Sequence, residues 1–327
     1  KKTKYLSADL RPVFPEERLL IELILDKEPH LWRDCSVWAC NNRYYVDGKP
    51  ISMPNSIYET CDADQIAMAL QNGEPTNSYN TFDRNIQLFI KANQRRLDFL
   101  KDEAIQFIQR AASQYKPEQI VVSFSGGKDS TVTADLAIKA LSNPSLVHIF
   151  GDTTLEFPAT REYAEQYRIT HPEAIFQIAR NDDQNFYEVC DDIGPPARMM
   201  RWCCSMFKTG PITRIINSLY GSEQILTFYG IRKSESVSRS KYNRIEDSAD
   251  AIKIKQQTVA SPIFFWKDID IWLYILGENI DFNKAYRLGY DRVGCWCCPN
   301  NTPRAQTLSR IYMPEQSKAW RDFLISF

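Results

Sequence analysis

With 40 Lys and Arg against 41 Asp and Glu in 327 residues, and 43% hydrophobic residues, the chain has the composition of a folded cytoplasmic protein of one large or two modest domains. The net charge of −1 excludes a global field that would draw it to nucleic acid or a membrane, so any nucleic-acid contact needs a local patch. No apolar run approaches the roughly 18 residues of a membrane span and no leader pattern opens the sequence, so no membrane partner is expected; the first residue, Lys1 rather than Met, is expected of a fragment.

In chain order, residues 1–80 read as a small appended N-terminal domain, rich in proline, asparagine and aromatics. Arg43 to Ile51 has the pattern of a hairpin turning at Asp47-Gly48. Cys35, Cys40 and Cys61 are too few for a zinc ribbon, which wants two Cys-x2-Cys pairs, and read as buried free cysteines. Trp32, Trp38, Tyr44 and Tyr45 read as the core of this unit, with stacking on a single nucleic-acid strand as the alternative. Residues 81–117 carry helical periodicity through Ile86, Phe89, Ile90, Leu97, Leu100, Ile105 and Ile108, predicting a helix or helix pair that links to the C-terminal two-thirds of the chain.

From 118 to 327 the pattern alternates. Strands are predicted at 119–124, 146–150, 174–178 and 224–230, and helices at 130–142, 158–168 and 267–277. That alternation predicts an α/β fold, a Rossmann-like parallel sheet with helices on both faces. Ligands of such sheets bind beyond the carboxyl ends of the strands.

The first of those strands runs into Ser125-Gly126-Gly127-Lys128-Asp129-Ser130. Strand, glycine turn and helix N-terminus together make a cradle of N–H groups at a positive dipole end, suited to a phosphate chain. Ser125 and Ser130 add hydroxyls, Lys128 adds a point charge, and the two glycines let the backbone approach the oxygens. The adjacent glycines set this loop apart from Gly-x-x-x-x-Gly-Lys-Ser/Thr. Asp152 ends the next strand and is expected to face the same crevice. Gly230, Arg232, Glu235 and Arg239 follow the strand at 224–230, where arginines suit bidentate capture of phosphate or sulfate.

Three histidines far apart in sequence (His30, His148, His171) argue against His-rich zinc sites, Ser–His–Asp hydrolysis and Cys–His proteolysis. The nine cysteines are more telling. Cys203-Cys204 and the Cys-x2-Cys half made by Cys295 and Cys298 supply two thiolate pairs. Neighbouring cysteines strain a tetrahedral zinc site but can each take one iron of a cubane, so a [4Fe–4S] cluster is favoured over Zn²⁺ at the same residues. Cys297 is then a spare thiol, able to act as nucleophile or persulfide carrier if its pKa is lowered, and otherwise merely buried.

Ser-Gly-Gly-x-Asp-Ser resembles the PP-loop of ATP pyrophosphatases. The full order of segments adds Asp-Thr-x-x-Glu-Phe-Pro from Asp152, Arg201-Trp202-Cys203-Cys204 with Lys208, and Gly-x-Arg-x-x-Glu-Ser-x-x-Arg from Gly230. Pro262 to Trp266 and Tyr286-x-x-Gly289-Tyr-x-Arg292-x-Gly-Cys295 complete it. This order is similar to the phosphoadenosine phosphosulfate (PAPS) reductase family of the adenine nucleotide α-hydrolase-like superfamily, over about two-thirds of the chain. The resemblance implies an adenosine nucleotide at residues 125–130, sulfur as the transferred element, and, as in the cluster-bearing branch, iron ligation by Cys203, Cys204, Cys295 and Cys298.

PAPS and adenylyl-sulfate reductases usually lack the full loop with its lysine and use a nucleophilic cysteine in a C-terminal tail; this chain keeps Lys128 and has no cysteine after Cys298. That combination resembles the sulfurtransferases of DNA phosphorothioation (DndC and SspD types). It implies ATP with Mg²⁺, a cysteine desulfurase or other sulfur donor, and DNA with partner proteins as one acceptor. The expected activity is that of an ATP pyrophosphatase and sulfurtransferase, with Lys128, Asp129, Arg232, Arg239 and Cys297 as its catalytic residues. The alternatives are a PAPS or adenylyl-sulfate reductase that releases sulfite, and a non-catalytic nucleotide- and Fe–S-binding component of a complex.

Overall fold

The computed structural model describes residues 9–73, 79–246 and 256–327. The N-terminal segment pairs β1 (Arg11–Pro12) with β2 (Val37–Cys40), β3 (Arg43–Val46) and β4 (Lys49–Ser52) in an antiparallel sheet of order β1-β2-β3-β4. The β3–β4 turn falls at Asp47-Gly48, both at positive φ (48° and 80°), as the Asp-Gly signal predicts. Around the sheet lie α1 (Pro15–Ile24), α2 (Asn55–Thr60) and α3 (Ala63–Asn72). Trp32 and Tyr44 are buried in this unit's core, and the Trp38 ring packs tilted against Phe89 at 4.6 Å, so these three aromatics serve packing. Cys35, Cys40 and Cys61 are free, and half-buried rather than fully buried.

A single helix, α4 (Asn80–Ala112), forms where the sequence reading expects a helix or helix pair. Its apolar stripe from Phe82 to Ala112 belongs to the main core, so it is a structural layer of the second sheet. That sheet follows the alternation read from the sequence: β5 (Ile120–Phe124), α5 (Lys128–Leu141), β6 (Val147–Asp152), α6 (Pro158–Thr170), β7 (Ile175–Arg180), α7 (Phe186–Ile193). The chain continues through α8 (Trp202–Cys204), a π-helical turn (Ser205–Thr209), α9 (Gly210–Tyr220), β8 (Ile225–Tyr229), β9 (Ile245–Glu246), β10 (Gln257–Ala260) and α10 (Asp268–Gly277), and ends in α11 (Pro303–Tyr312) and α12 (Pro314–Ser326).

The strand order is β7-β6-β5-β8-β10-β9, parallel except for β9. Alternation along β5 explains the two covered faces. Ile120, Val122 and Phe124 join the core under α4, α5 and α10, whereas Val121 packs with Ile149 and Ile216 beneath α9. This is the Rossmann-like α/β architecture expected. The order reverses between β5 and β8, and at such a switch point a crevice opens beyond the strand ends. Among the described residues no helix is long and apolar enough to cross a membrane.

Candidate active site

β5 delivers the chain to the switch point, where the glycine pair turns it into α5. Gly126 sits at φ +68°, and a Cβ there would lie 2.9 Å from Thr160 Cγ2. Asn283 holds the turn from below, donating from Nδ2 to the Gly126 carbonyl (3.1 Å) and to Thr160 Oγ1 (2.8 Å). Ser130 Oγ accepts from the Ser125 N–H and donates to the Gly127 carbonyl, so the loop is closed by its own hydroxyl. The first N–H groups of α5 have no intrahelical acceptor. Tyr286 takes one of them, its Oη accepting from the Lys128 N–H at 3.1 Å, and its ring lies 5.3 Å from Lys128 Nζ.

Gly230, after β8, is where two backbones touch. A Cβ there would meet the Asp129 carbonyl carbon at 2.6 Å. This contact brings Arg232 to the loop. Lys128 Nζ pairs with Asp129 (3.1 Å) and Asp268 (3.2 Å), and Arg232 pairs with the same two carboxylates at 2.5 and 2.8 Å. Lys128 and Arg232 are buried. Burial alone would lower the Lys128 pKa, but Asp129 and Asp268 outweigh it and hold it above its ordinary value. Burial would likewise raise the Asp129 carboxyl, and Lys128 and Arg232 override that and hold it down. The lysine therefore stays charged, held by the two carboxylates.

The loop opens on a cavity of about 850 Å³. Ser125, Gly127, Lys128, Asp129, Ser130, Gly230, Arg232, Glu235 and Arg239 all line it, so the two motifs meet in one place. Arg239 pairs with Glu235; burial and then the neighbouring Arg292 lower its pKa. Gly126 packs under the loop rather than lining the space. Asp152 does not line it either. Its carboxylate accepts from the Thr154 N–H (2.8 Å) and from Arg161, turning back along its own strand end. Glu156, four residues on, lines the cavity with Lys208.

The cysteine segments meet beside that wall. Cys295 pairs with Glu156 as an isolated β-bridge, and the Trp296 N–H donates to the Leu155 carbonyl at 2.9 Å. Cys203 and Cys295 pack in one cluster with Trp202, Phe186 and Trp320, and Cys203 hydrogen-bonds Cys204. Among the described residues, however, no three His, Cys, Asp or Glu side chains stand close enough to hold one metal ion. The all-thiolate donor set suits iron, but the spacing as it stands does not close a site. Cys297 packs against the same cluster, where burial, then Cys295, push its thiol up.

Asp268, Asn283, Asp9, Glu156 and Tyr286 were not among the site residues read from the sequence. Tyr286 and Glu156 sit inside the recognised segments. Asp268 carried only the signal of a helix start, and Asn283 and Asp9 carried none.

The phosphoadenosine phosphosulfate reductase domain matches residues 119–301, more than half of the chain. The chain belongs to that family. Uncharacterized protein MJ0066 of Methanocaldococcus jannaschii is 34% identical over 251 residues, covering 77% of this chain and 50% of that protein. Adenosine 5′-phosphosulfate reductase of Oceanobacillus iheyensis is 29% identical over 197 residues, covering 60% of this chain and 77% of that protein. A second M. jannaschii relative, Uncharacterized protein MJ0973, is 28% identical, with 57% of its length covered. The chain thus spans about half the length of the two archaeal relatives. A crystal structure of the Candida auris PAPS reductase in a phosphate complex has 18% identity and a TM-score of 0.46, covering 63% of this chain and 96% of that one.

Proposed function

We propose that this family member is an ATP-dependent sulfurtransferase that adenylylates an acceptor for sulfur insertion. The observation that carries the reading is the lysine-bearing loop at the switch point, opening on a cavity that Arg232 and Arg239 also line. The β- and γ-phosphates would lie at the α5 N-terminus, with Lys128 and Arg232 exchanging carboxylates for phosphate oxygens. Mg²⁺ usually binds through one or two carboxylates plus substrate phosphates, and Asp129 and Asp268 are the pair at hand. An acceptor oxygen attacks the α-phosphate and pyrophosphate leaves toward Lys128. The outer sulfur of a persulfide, such as that on a cysteine desulfurase, then displaces AMP, and a second thiol attacks the donor cysteine's sulfur, forming a disulfide and releasing the sulfurated acceptor. Positioning and fixed charge supply the catalysis. A DNA backbone phosphate is one acceptor this scheme admits.

A [4Fe–4S] cluster on Cys203, Cys204, Cys295 and Cys298 belongs to the same proposal, supported by the donor set and the meeting of the two segments. No step is derived through it. Stoichiometric iron after oxygen-free purification is expected; stoichiometric zinc would replace it.

The name of the O. iheyensis relative favours a second reading, reductive release of sulfite from an adenylyl sulfate. One assay separates them. Protein incubated with α-labelled ATP should yield AMP and pyrophosphate, and Lys128→Ala should abolish this. Sulfite from labelled adenylyl sulfate or PAPS without ATP turnover reverses the assignment.

A further inference from the structure

The N-terminal sheet has so far no part in the chemistry, yet it forms one wall of the cavity. Arg11, Ala39, Cys40 and Asn41 line it together with the phosphate loop, and so does Asp9. Ala39 and Cys40 end β2, and Asn41, at φ 51°, begins the two-residue turn into β3, so the paired strands fix the position of this tip. Arg11 contributes no free cation there, because Glu17 takes both arms of its guanidinium at 2.6 and 2.7 Å. Ala39, Cys40 and Asn41 are uncharged, whereas the loop side gathers the cations.

Asp9 reaches further. Its Oδ1 accepts from the Asp268 N–H (2.7 Å) and the Ile269 N–H (3.3 Å), capping α10 from another part of the fold. Its Oδ2 lies 4.0 Å from Arg232 Nη1. Asp268, like Asp129, holds both Lys128 and Arg232. One N-terminal side chain thus fixes a residue on which both phosphate-side cations rest.

We propose that the N-terminal sheet is a working part of the nucleotide site: Asp9 is a positioning residue for Asp268 and Arg232, and the β2–β3 tip covers a nucleoside triphosphate whose phosphates lie on the loop. This rests on the reading of the cavity as an ATP site. Phosphates go to the cationic side, and the uncharged part of the nucleotide lies against Ala39, Cys40 and Asn41.

Cys40 is the reporter. Native protein is alkylated with N-ethylmaleimide, with and without ATP and Mg²⁺, and each cysteine is quantified by peptide mass spectrometry while equilibrium dialysis measures bound ATP. At about ten times the Kd, the free fraction, and with it labelling of Cys40, falls about tenfold, while Cys61, outside the cavity, labels at an unchanged rate. Asp9→Ala should weaken ATP binding by about tenfold, the worth of a lost cap, and Asp9→Asn, which keeps the capping oxygen, should restore most of it. Bound ATP with unchanged Cys40 labelling, or equal shielding of Cys61, overturns the covering role. Wild-type affinity in Asp9→Ala overturns the positioning role. Absence of bound ATP in the dialysis overturns instead the nucleotide reading on which both depend.

Discussion

Replacing Glu17 by Gln tests the tie between the N-terminal sheet and α11. Glu17 is fully buried and answers two arginines: Arg11 bidentately, and Arg304 of α11 at 2.6 Å, with the Tyr44 hydroxyl donating at 2.6 Å. Burial alone would raise its carboxyl, but Arg11 and Arg304 reverse that and bring it to about 2 from 4.5. Such a fall corresponds to about 3 kcal/mol of preference for the ionised form. Removing one partner of a buried ion pair typically costs about 3–5 kcal/mol, and the two magnitudes agree. Glutamine keeps the shape and an acceptor but leaves both guanidinium groups without a counter-charge. The sign follows from the depressed carboxyl: the Glu17 contribution is complete above pH 4.5 and is lost as pH falls toward 2. Urea midpoints of Glu17→Gln and wild type should differ by a constant amount from pH 7 down to 4.5 and converge below it. A loss under about 1 kcal/mol, the range of exposed pairs, would refute the reasoning.

Gly230→Ala forces a Cβ onto the Asp129 backbone at 2.6 Å, so α5 must move off β8. A loss of about 1–3 kcal/mol is expected in thermal melts, with weakened ATP binding in dialysis. Asn283→Ala frees the Gly126 carbonyl and Thr160 Oγ1, at a cost of about 1–3 kcal/mol in denaturant unfolding. His148 is buried among Phe124, Tyr167 and Phe176, and burial pushes its imidazole down to about 4. As pH falls from 6.5 to 4 the unfolded chain takes a proton the folded one refuses, so stability declines by about 3 kcal/mol and then levels. His148→Gln should remove that slope while the acid arm below 4.5 persists.

How much of this was legible depended on distance along the chain. β5, the loop and α5 are encoded in one continuous stretch, a β-branched run, two glycines and a helical pattern, and their bounds fall within two residues of those read from the sequence. Arg232 was legible because it too follows a strand end. Asp268 was not, since its signal, an acidic residue opening a helix, is common to helices without any site. Asn283 and Asp9 reach the loop only through the tertiary fold, which no local pattern records. Asp152 differs from the expectation in its place: a strand-end carboxylate has the look of a ligand, and this one lies outside the cavity lining, engaged by Arg161 and the Thr154 N–H. The structure brings the two cysteine segments together, but spacing in sequence does not report spacing between thiols.

The bond from the Asp268 amide to Asp9 joins residues separated by 259 positions, and Arg304 reaches Glu17 across 287. Loops of that size close late, after local helices and hairpins have formed. A ribosome-bound chain lacking its last third can therefore build β5 and the glycine turn, yet it lacks Asp268 and Arg304, the partners of Asp9 and Glu17. Competence to hold a nucleotide should thus appear abruptly during synthesis, when α10 and α11 emerge, rather than grow with the sheet.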